Sequence, residues 1–101
     1  QDAVGIVQVD VARVGGITPW LKVAHMAESF NVKVCPHFLM EIHVSLSAAI
    51  PNGLYVEHIP QLRGVTKSEI KIENGMALAP TAIGLGIDWD FDAIDNKRVK
   101  I

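Results

Sequence analysis

Three ionisable side chains follow short apolar segments of the sequence, each at the point where the segment ends. Asp10 closes VGIVQVD, His37 follows VKVCP and Glu57 follows LYV. A carboxylate beside a histidine favours the imidazolium and holds one ring nitrogen as a donor, so the other nitrogen can accept a proton. Such a pair can act as a general base and afterwards as a general acid. Glu57, if it stays protonated, could donate a hydrogen bond to an enolate-type oxygen.

Each of these residues also has a structural interpretation. An aspartate at the end of a strand often only forms a turn or caps a helix, and a single histidine there is more often structural than catalytic. The recurrence of ionisable groups at equivalent places on successive segments favours a functional interpretation. The carboxyl ends of parallel strands meet at one edge of a sheet or barrel, which is where such folds bind their ligands.

The elements that must position these residues are predicted to alternate between strand and helix. The β-branched and apolar segments 4–9, 32–35 and 54–56 predict buried strands. The helical spacing of apolar residues in PWLKVAHMAESF, residues 19–30, predicts a first helix, and a second is predicted within residues 40–50. Short connections between alternating strands and helices imply parallel strands and an α/β fold.

The pattern changes after about residue 60. Residues 69–73 alternate between polar and apolar, and Asn74-Gly75 is a hairpin turn signal before a return strand over 76–79. The segment PTAIGLGIDWDF that follows is predicted to be extended, because it has Pro and Gly but little periodicity. We therefore expect two parts, residues 1–62 with the βα units and residues 63–101 with the hairpin and tail.

The composition restricts the class of protein. Half of the 101 residues are apolar and a fifth are charged, as in a globular domain, and the net charge of −2 makes nucleic acid an unexpected partner. No apolar run reaches the roughly 18 residues of a membrane helix. The single cysteine, Cys35, suits a cytoplasmic location. His37, His43 and His58 match no common zinc spacing, so no metal ligands are predicted within the chain.

Three stretches resemble a known family. VDVARVGGI, PHFLMEIHVSLSAA and YVEHI resemble the C-terminal part of the mandelate racemase-like branch of the enolase superfamily, the mandelate racemase/muconate lactonizing enzyme family. The PHFLMEIH stretch is most similar to acid-sugar dehydratases of the talarate/galactarate type. The resemblance implies the last three strands of a (β/α)7β barrel, a TIM-like fold. It also implies a tail that returns toward an amino-terminal capping domain.

The resemblance further implies roles for particular residues. Asp10 and His37 would form the dyad, with His37 as the base, and Glu57 would donate to the enediolate. Phe38 and Met40 would line the substrate pocket. The reaction would remove the proton α to a carboxylate of an aldarate or aldonate and then expel a β-hydroxyl. It would depend on Mg²⁺, whose ligands we expect on earlier strands outside this sequence.

Two alternatives stay open from the sequence. The same dyad would serve a racemase or epimerase of a 2-hydroxy acid, and a truncated barrel could also be a noncatalytic remnant or interaction module. The expected partners are a small carboxylate, the rest of the enzyme chain and further copies in a homo-oligomer. We expect the chain to be part of a larger enzyme and to be inactive alone, because three strands cannot close a barrel.

Overall fold

The first half of the chain alternates short strands with helices. The computed structural model describes residues 4–99, so residues 1–3 and 100–101, at the ends of the two predicted parts, lie outside it. The elements are β1 (Ile6–Val7), α1 (Ile17–Ser29), β2 (Lys33–Val34) and α2 (Met40–Ala49). β1 and β2 are parallel, with Val7 opposite Val34. These elements place the ends of β1 and β2 next to each other.

The strands are shorter than the sequence predicted. The first two keep only two residues each, and residues 54–56 form no strand. Gly53 instead makes a parallel bridge to Val34, and the Leu54 N–H donates to the Val34 carbonyl at 3.0 Å. Pro36 has no N–H to donate, and by strand alternation it faces the same side as Val34, toward residues 53 and 54, so it limits pairing on that side. On the other side, Cys35 and His37 still pair with the segment of β1.

Helix α1 buries one face against this small sheet. Trp20, Ala24 and Ala27 are its buried residues, and their spacing of three and four positions is that of one helical face. The indole Nε1–H of Trp20 donates to the Val9 carbonyl at 3.2 Å, so the helix is anchored directly to the segment that follows β1. The hydrophobic core contains Val9, Val11, Trp20, Ala24, Ala27, Val34, Leu46 and Ile50.

The connection after α2 fixes the second helix to the first. The buried Asn52 side-chain amide donates to the carbonyls of Ala24 and Val32, at 3.1 and 3.0 Å. Gly53 follows, and a Cβ at this position would lie 2.6 Å from the Ser47 carbonyl oxygen. Only glycine therefore allows the chain to pass so close to the end of α2.

The second half contains a hairpin and a short helix. Its elements are a 3₁₀ turn (Arg63–Val65), β3 (Ile72–Glu73), β4 (Met76–Ala77) and α3 (Phe91–Asn96). β3 and β4 are antiparallel, and Asn74 and Gly75 have φ values of 51° and 75°, the positive values that a type I′ turn requires. Both strands are shorter than the predicted segments 69–73 and 76–79.

The prediction of an extended tail is wrong where α3 forms. The Asp90 side chain accepts a hydrogen bond from the Ala93 N–H at 3.1 Å and caps the helix. Six residues are fewer than two turns, so they give no periodic signal in the sequence. Within residues 4–99, no helix is long and apolar enough to cross a membrane.

Candidate active site

The structure brings Asp10 and His37 into direct contact. Asp10 Oδ2 lies 3.0 Å from His37 Nδ1. The backbone holds the same register, because the His37 N–H donates to the Val9 carbonyl at 3.1 Å and the Cys35 N–H donates to the Val7 carbonyl at 3.0 Å. Parallel pairing thus continues past β1 and β2 far enough to set the two side chains opposite each other.

Asp10 is held as a carboxylate. It is only 8% exposed, and this burial acts to raise its pKa. The hydrogen bond from His37, together with those from the Ala12 and Arg13 N–H groups to Oδ1, outweighs burial and holds the pKa of Asp10 below its ordinary value of 3.8. The distances to Ala12 and Arg13 are 2.8 and 3.4 Å. Asp10 is therefore a fixed acceptor for the histidine.

His37 presents its ring to an open cavity. Because the Asp10 carboxylate can only accept, His37 Nδ1 carries the proton of their hydrogen bond and Nε2 keeps its lone pair. The His37 side chain is 42% exposed, and its ring stacks on Phe38 with centroids 5.7 Å apart. The cavity has a volume of about 510 Å³ and is lined by Gln8, Val9, Asp10, Arg13, Val14 and His37. This arrangement leaves a proton-accepting nitrogen at a solvent-accessible surface.

The Glu57 side chain binds a backbone group of the loop that carries His37. Its Oε1 accepts a hydrogen bond from the Phe38 N–H at 3.1 Å. Phe38 and the next residue, Leu39, have positive φ values of 64° and 38°, which are unusual for large side chains. Glu57 therefore helps to hold the turn that carries His37 into α2, although it makes no hydrogen bond to the imidazole.

The two predicted pocket residues differ in their surroundings. Phe38 lies against the His37 ring. Met40 is only 2% exposed and lines a separate, small cavity of about 30 Å³ with His58 and Pro60. Met40 does not line the cavity of His37, and its place in the substrate pocket stays a prediction.

His43 contacts the site, although no role was predicted for it from the sequence. Its Nε2 accepts a hydrogen bond from the Val11 N–H at 3.0 Å, and its Nδ1 lies 2.5 Å from the Phe38 carbonyl oxygen. Burial lowers the pKa of His43, and the hydrogen bond to Phe38 only partly opposes this effect. A histidine at helical spacing from Met40 and Leu46, on a mainly apolar face, was the available signal.

The described residues do not fit a magnesium site. Mg²⁺ prefers several oxygen ligands in octahedral geometry, and no three His, Cys, Asp or Glu side chains within residues 4–99 are grouped so that they could hold a metal ion. The carboxylates of Asp10 and Glu57 are instead engaged by the His37 imidazole and by backbone N–H groups.

Residues 1–93 match the family described as enolase C-terminal domain-like. The chain belongs to this family. Its resemblance to the mandelate racemase-like branch is thereby confirmed, and the α/β interpretation is confirmed as a fragment of TIM-barrel type.

Individual members of the family are similar over most of the chain. The L-talarate/galactarate dehydratase of Salmonella typhimurium LT2 is 38% identical over 85 residues, which cover 84% of this chain and 21% of that protein. The D-xylonate dehydratase of Haloferax volcanii is 32% identical over 107 residues, covering 97% and 26%. The crystal structure of L-talarate dehydratase from Polaromonas sp. JS666 with Mg and L-glucarate superposes with a TM-score of 0.85 at 40% identity, covering 92% and 26%. The chain thus spans only about a fifth to a quarter of these relatives.

Proposed function

We propose that this chain supplies the base of an active site that dehydrates an acid sugar. The observation that carries the proposal is the contact of 3.0 Å between Asp10 Oδ2 and His37 Nδ1. It gives the imidazole one tautomer, with its lone pair on Nε2 at an open cavity. A base of this kind can remove a proton from a carbon atom that lies within hydrogen-bond distance of Nε2.

The proposed reaction follows from that tautomer. His37 Nε2 takes the proton α to the substrate carboxylate, and the electrons of the C–H bond pass into the carboxylate to form an enediolate. The enediolate then expels the β-hydroxyl group, which takes the proton back from His37 and leaves as water. The resulting enol tautomerises to a 2-keto acid, so atoms and electrons balance without an added oxidant or reductant.

Glu57 is proposed as the donor to the enediolate. Its Oε1 is engaged by the Phe38 N–H, so Oε2 is the atom that would donate if the acid carries its proton. A hydrogen bond aimed at an oxygen that gains charge during the reaction stabilises the transition state more than the ground state. The exposed Phe38 ring beside His37 would form part of the substrate pocket.

The substrate class is inferred from the similar proteins. The names of the Salmonella and Haloferax enzymes specify dehydration of aldarates and aldonates, and the Polaromonas structure contains Mg and L-glucarate. We propose an aldarate or aldonate as the substrate. We also propose that the enzyme uses Mg²⁺ with ligands from outside these 101 residues, since the described part of the chain offers no such group.

The rest of the enzyme is proposed as the partner of this chain. Residues 1–62 would form the end of the barrel, and residues 63–101 would return toward a capping domain. Ile6, Leu54 and Tyr55 are 51%, 46% and 72% exposed, and they lie in or next to the segments that pair with β2. Further strands of a barrel would cover such apolar side chains, and we do not expect activity without them. Assembly into a homo-oligomer stays a prediction.

The proposal is tested in the complete polypeptide that contains this chain, with galactarate as the substrate in D₂O. We expect formation of a 2-keto acid and solvent exchange at the α-carbon, and we expect His37→Asn to abolish both. His25→Asn is the matched control, because His25 is 58% exposed on α1 and pairs only with Glu28 in the described structure. Full α-exchange in His37→Asn would exclude His37 as the base. Exchange without elimination would instead indicate the racemase alternative.

A further inference from the structure

His43 is a completely buried histidine whose two ring nitrogens both contact backbone groups. Nε2 faces the Val11 N–H at 3.0 Å and Nδ1 faces the Phe38 carbonyl at 2.5 Å. A backbone N–H can only donate and a carbonyl can only accept. The two partners therefore require the neutral ring with its proton on Nδ1 and its lone pair on Nε2.

The two backbone groups belong to the residues that follow the proposed dyad. Val11 comes directly after Asp10, and Phe38 comes directly after His37. The His43 ring therefore bridges the loop after β1 to the loop after β2, at the residues that directly follow Asp10 and His37 in the chain. The side chains of Asp10 and His37 make the contact of 3.0 Å. A shift of either loop would change that contact and the two bonds of His43 together.

The second of these loops needs support because of its conformation. Phe38 and Leu39 both have positive φ values, a combination that costs energy for side chains of this size. The Phe38 peptide groups are held on both sides, since its N–H donates to Glu57 Oε1 and its carbonyl accepts from His43. The left-handed turn that leads from His37 into α2 is thus fixed by one residue on each side.

We infer that His43 is a positioning residue that sets the relative placement of Asp10 and His37 through the Val11 N–H and the Phe38 carbonyl. The inference rests on the proposed function for its catalytic consequence, but the bridging geometry does not depend on it. His43 does not line the cavity of His37, so it touches no reacting group and acts through the two loops.

The electrostatics of the ring agree with this role. A protonated His43 would place an Nε2–H against the Val11 N–H, so two donors would face each other. Burial disfavours that form and lowers the pKa of His43. The Trp20 ring lies 6.0 Å from the His43 ring, centroid to centroid, and is tilted by 39° to it. A residue that only packs against Trp20 needs an aromatic ring but no ring nitrogen. A substitution that keeps the ring and removes the nitrogens therefore separates packing from the hydrogen bonds to Val11 and Phe38.

The test compares His43→Phe, His43→Asn and the surface control His25→Asn in the complete polypeptide. Phenylalanine keeps an aromatic ring but leaves the Val11 N–H and the Phe38 carbonyl without a partner. The amide of asparagine can replace the Nδ1–H that donates to Phe38, although it cannot reach Val11. Ring ¹⁵N NMR of labelled histidines reports the tautomers, and steady-state kinetics with galactarate separate kcat from KM.

We expect the wild-type His43 spectrum to show a single tautomer with the proton on Nδ1. In His43→Phe we expect kcat to fall on the order of 100-fold, as a displacement of about 1 Å at a reacting group can produce, while KM changes little. The His37 ring should also lose its single-tautomer spectrum. We expect His43→Asn to recover part of kcat and His25→Asn to match the wild type.

Three results would overturn the inference: an Nε2–H tautomer of His43, a mixture of tautomers, or a His43→Phe enzyme with wild-type kcat and an unchanged His37 spectrum. If His43→Phe does not fold, His43→Asn is judged by the same two readouts. If the wild type does not act on galactarate, the proposed substrate fails. The spectra of His43 and His37 still decide whether His43 holds the two loops.

Discussion

Replacing Asp10 with asparagine changes the proposed base without changing the size of the side chain. The N–H groups of Ala12 and Arg13 both donate to Oδ1, so the amide oxygen must stay there and the amide nitrogen must take the place of Oδ2. That nitrogen would then lie about 3.0 Å from His37 Nδ1. Because an amide nitrogen donates, Nδ1 must accept, and the ring proton moves to Nε2.

This change of tautomer removes the lone pair that should take the α-proton. A positioned general base contributes roughly 10²–10⁴-fold to a rate, so we expect Asp10→Asn to slow α-proton exchange by about 10³-fold. KM should change little, since Asp10 is 8% exposed and its two oxygens are already engaged by His37 and by backbone N–H groups. The assay follows loss of the α-proton signal of galactarate in D₂O by ¹H NMR.

The matched control is Asp95→Asn, which alters an exposed aspartate that pairs with Arg98 on the surface. We expect this variant to exchange at the wild-type rate. If Asp10→Asn also exchanges at that rate, the reasoning from hydrogen-bond direction to tautomer is refuted. Such a result would reduce the contact between Asp10 and His37 to a structural one.

Three further predictions concern stability, measured by urea unfolding of the complete polypeptide. Asn52→Ala should lower the free energy of unfolding by about 2 kcal/mol, because it removes two buried hydrogen bonds to backbone carbonyls. An unchanged urea midpoint of unfolding would contradict this prediction. Gly53→Ala should cost about 1–3 kcal/mol, because its Cβ would lie 2.6 Å from the Ser47 oxygen, and wild-type stability would refute the close approach. Because the pKa of His43 is lowered, its contribution to the free energy of unfolding is fully present above pH 6.5 and declines as the pH falls from 6.5 toward the folded-state pKa. Because the pKa of Asp10 is also lowered, its contribution is lost as the pH falls from 3.8 through the folded-state pKa. The His43 part of this slope should disappear in His43→Phe, and a slope that persists there would assign it to other groups.

The sequence was most informative where the pattern of apolar residues repeats. The spacing in residues 19–30 and 40–50 is long enough to define two helices, and the structure has α1 and α2 over nearly the same ranges. The placement of Asp10 and His37 after successive apolar segments also predicted that they would be neighbours. That inference needed only the rule that parallel strands end at the same edge.

The remaining features depend on contacts that a sequence pattern does not encode. Residues 54–56 have strand-forming side chains, but the pairing of β2 is limited by Pro36, so no third strand forms. Helix α3 is fixed by one capping bond from Asp90 rather than by periodicity. The role of His43 requires knowing which backbone groups lie on either side of its ring, and these come from loops that are distant in the chain.

The backbone and the side chain of Phe38 make different contacts. Its N–H and carbonyl bind Glu57 and His43, whereas its side chain only stacks on the His37 ring. The hydrogen bonds from residue 38 to Glu57 and His43 therefore do not depend on its side chain, provided that the backbone keeps its left-handed conformation. Asparagine and glycine tolerate that conformation best. A library at this one position would vary the group that stacks on the His37 ring while the backbone bonds to Glu57 and His43 stay in place, which makes residue 38 a natural starting point for redesigning the selectivity of the proposed site.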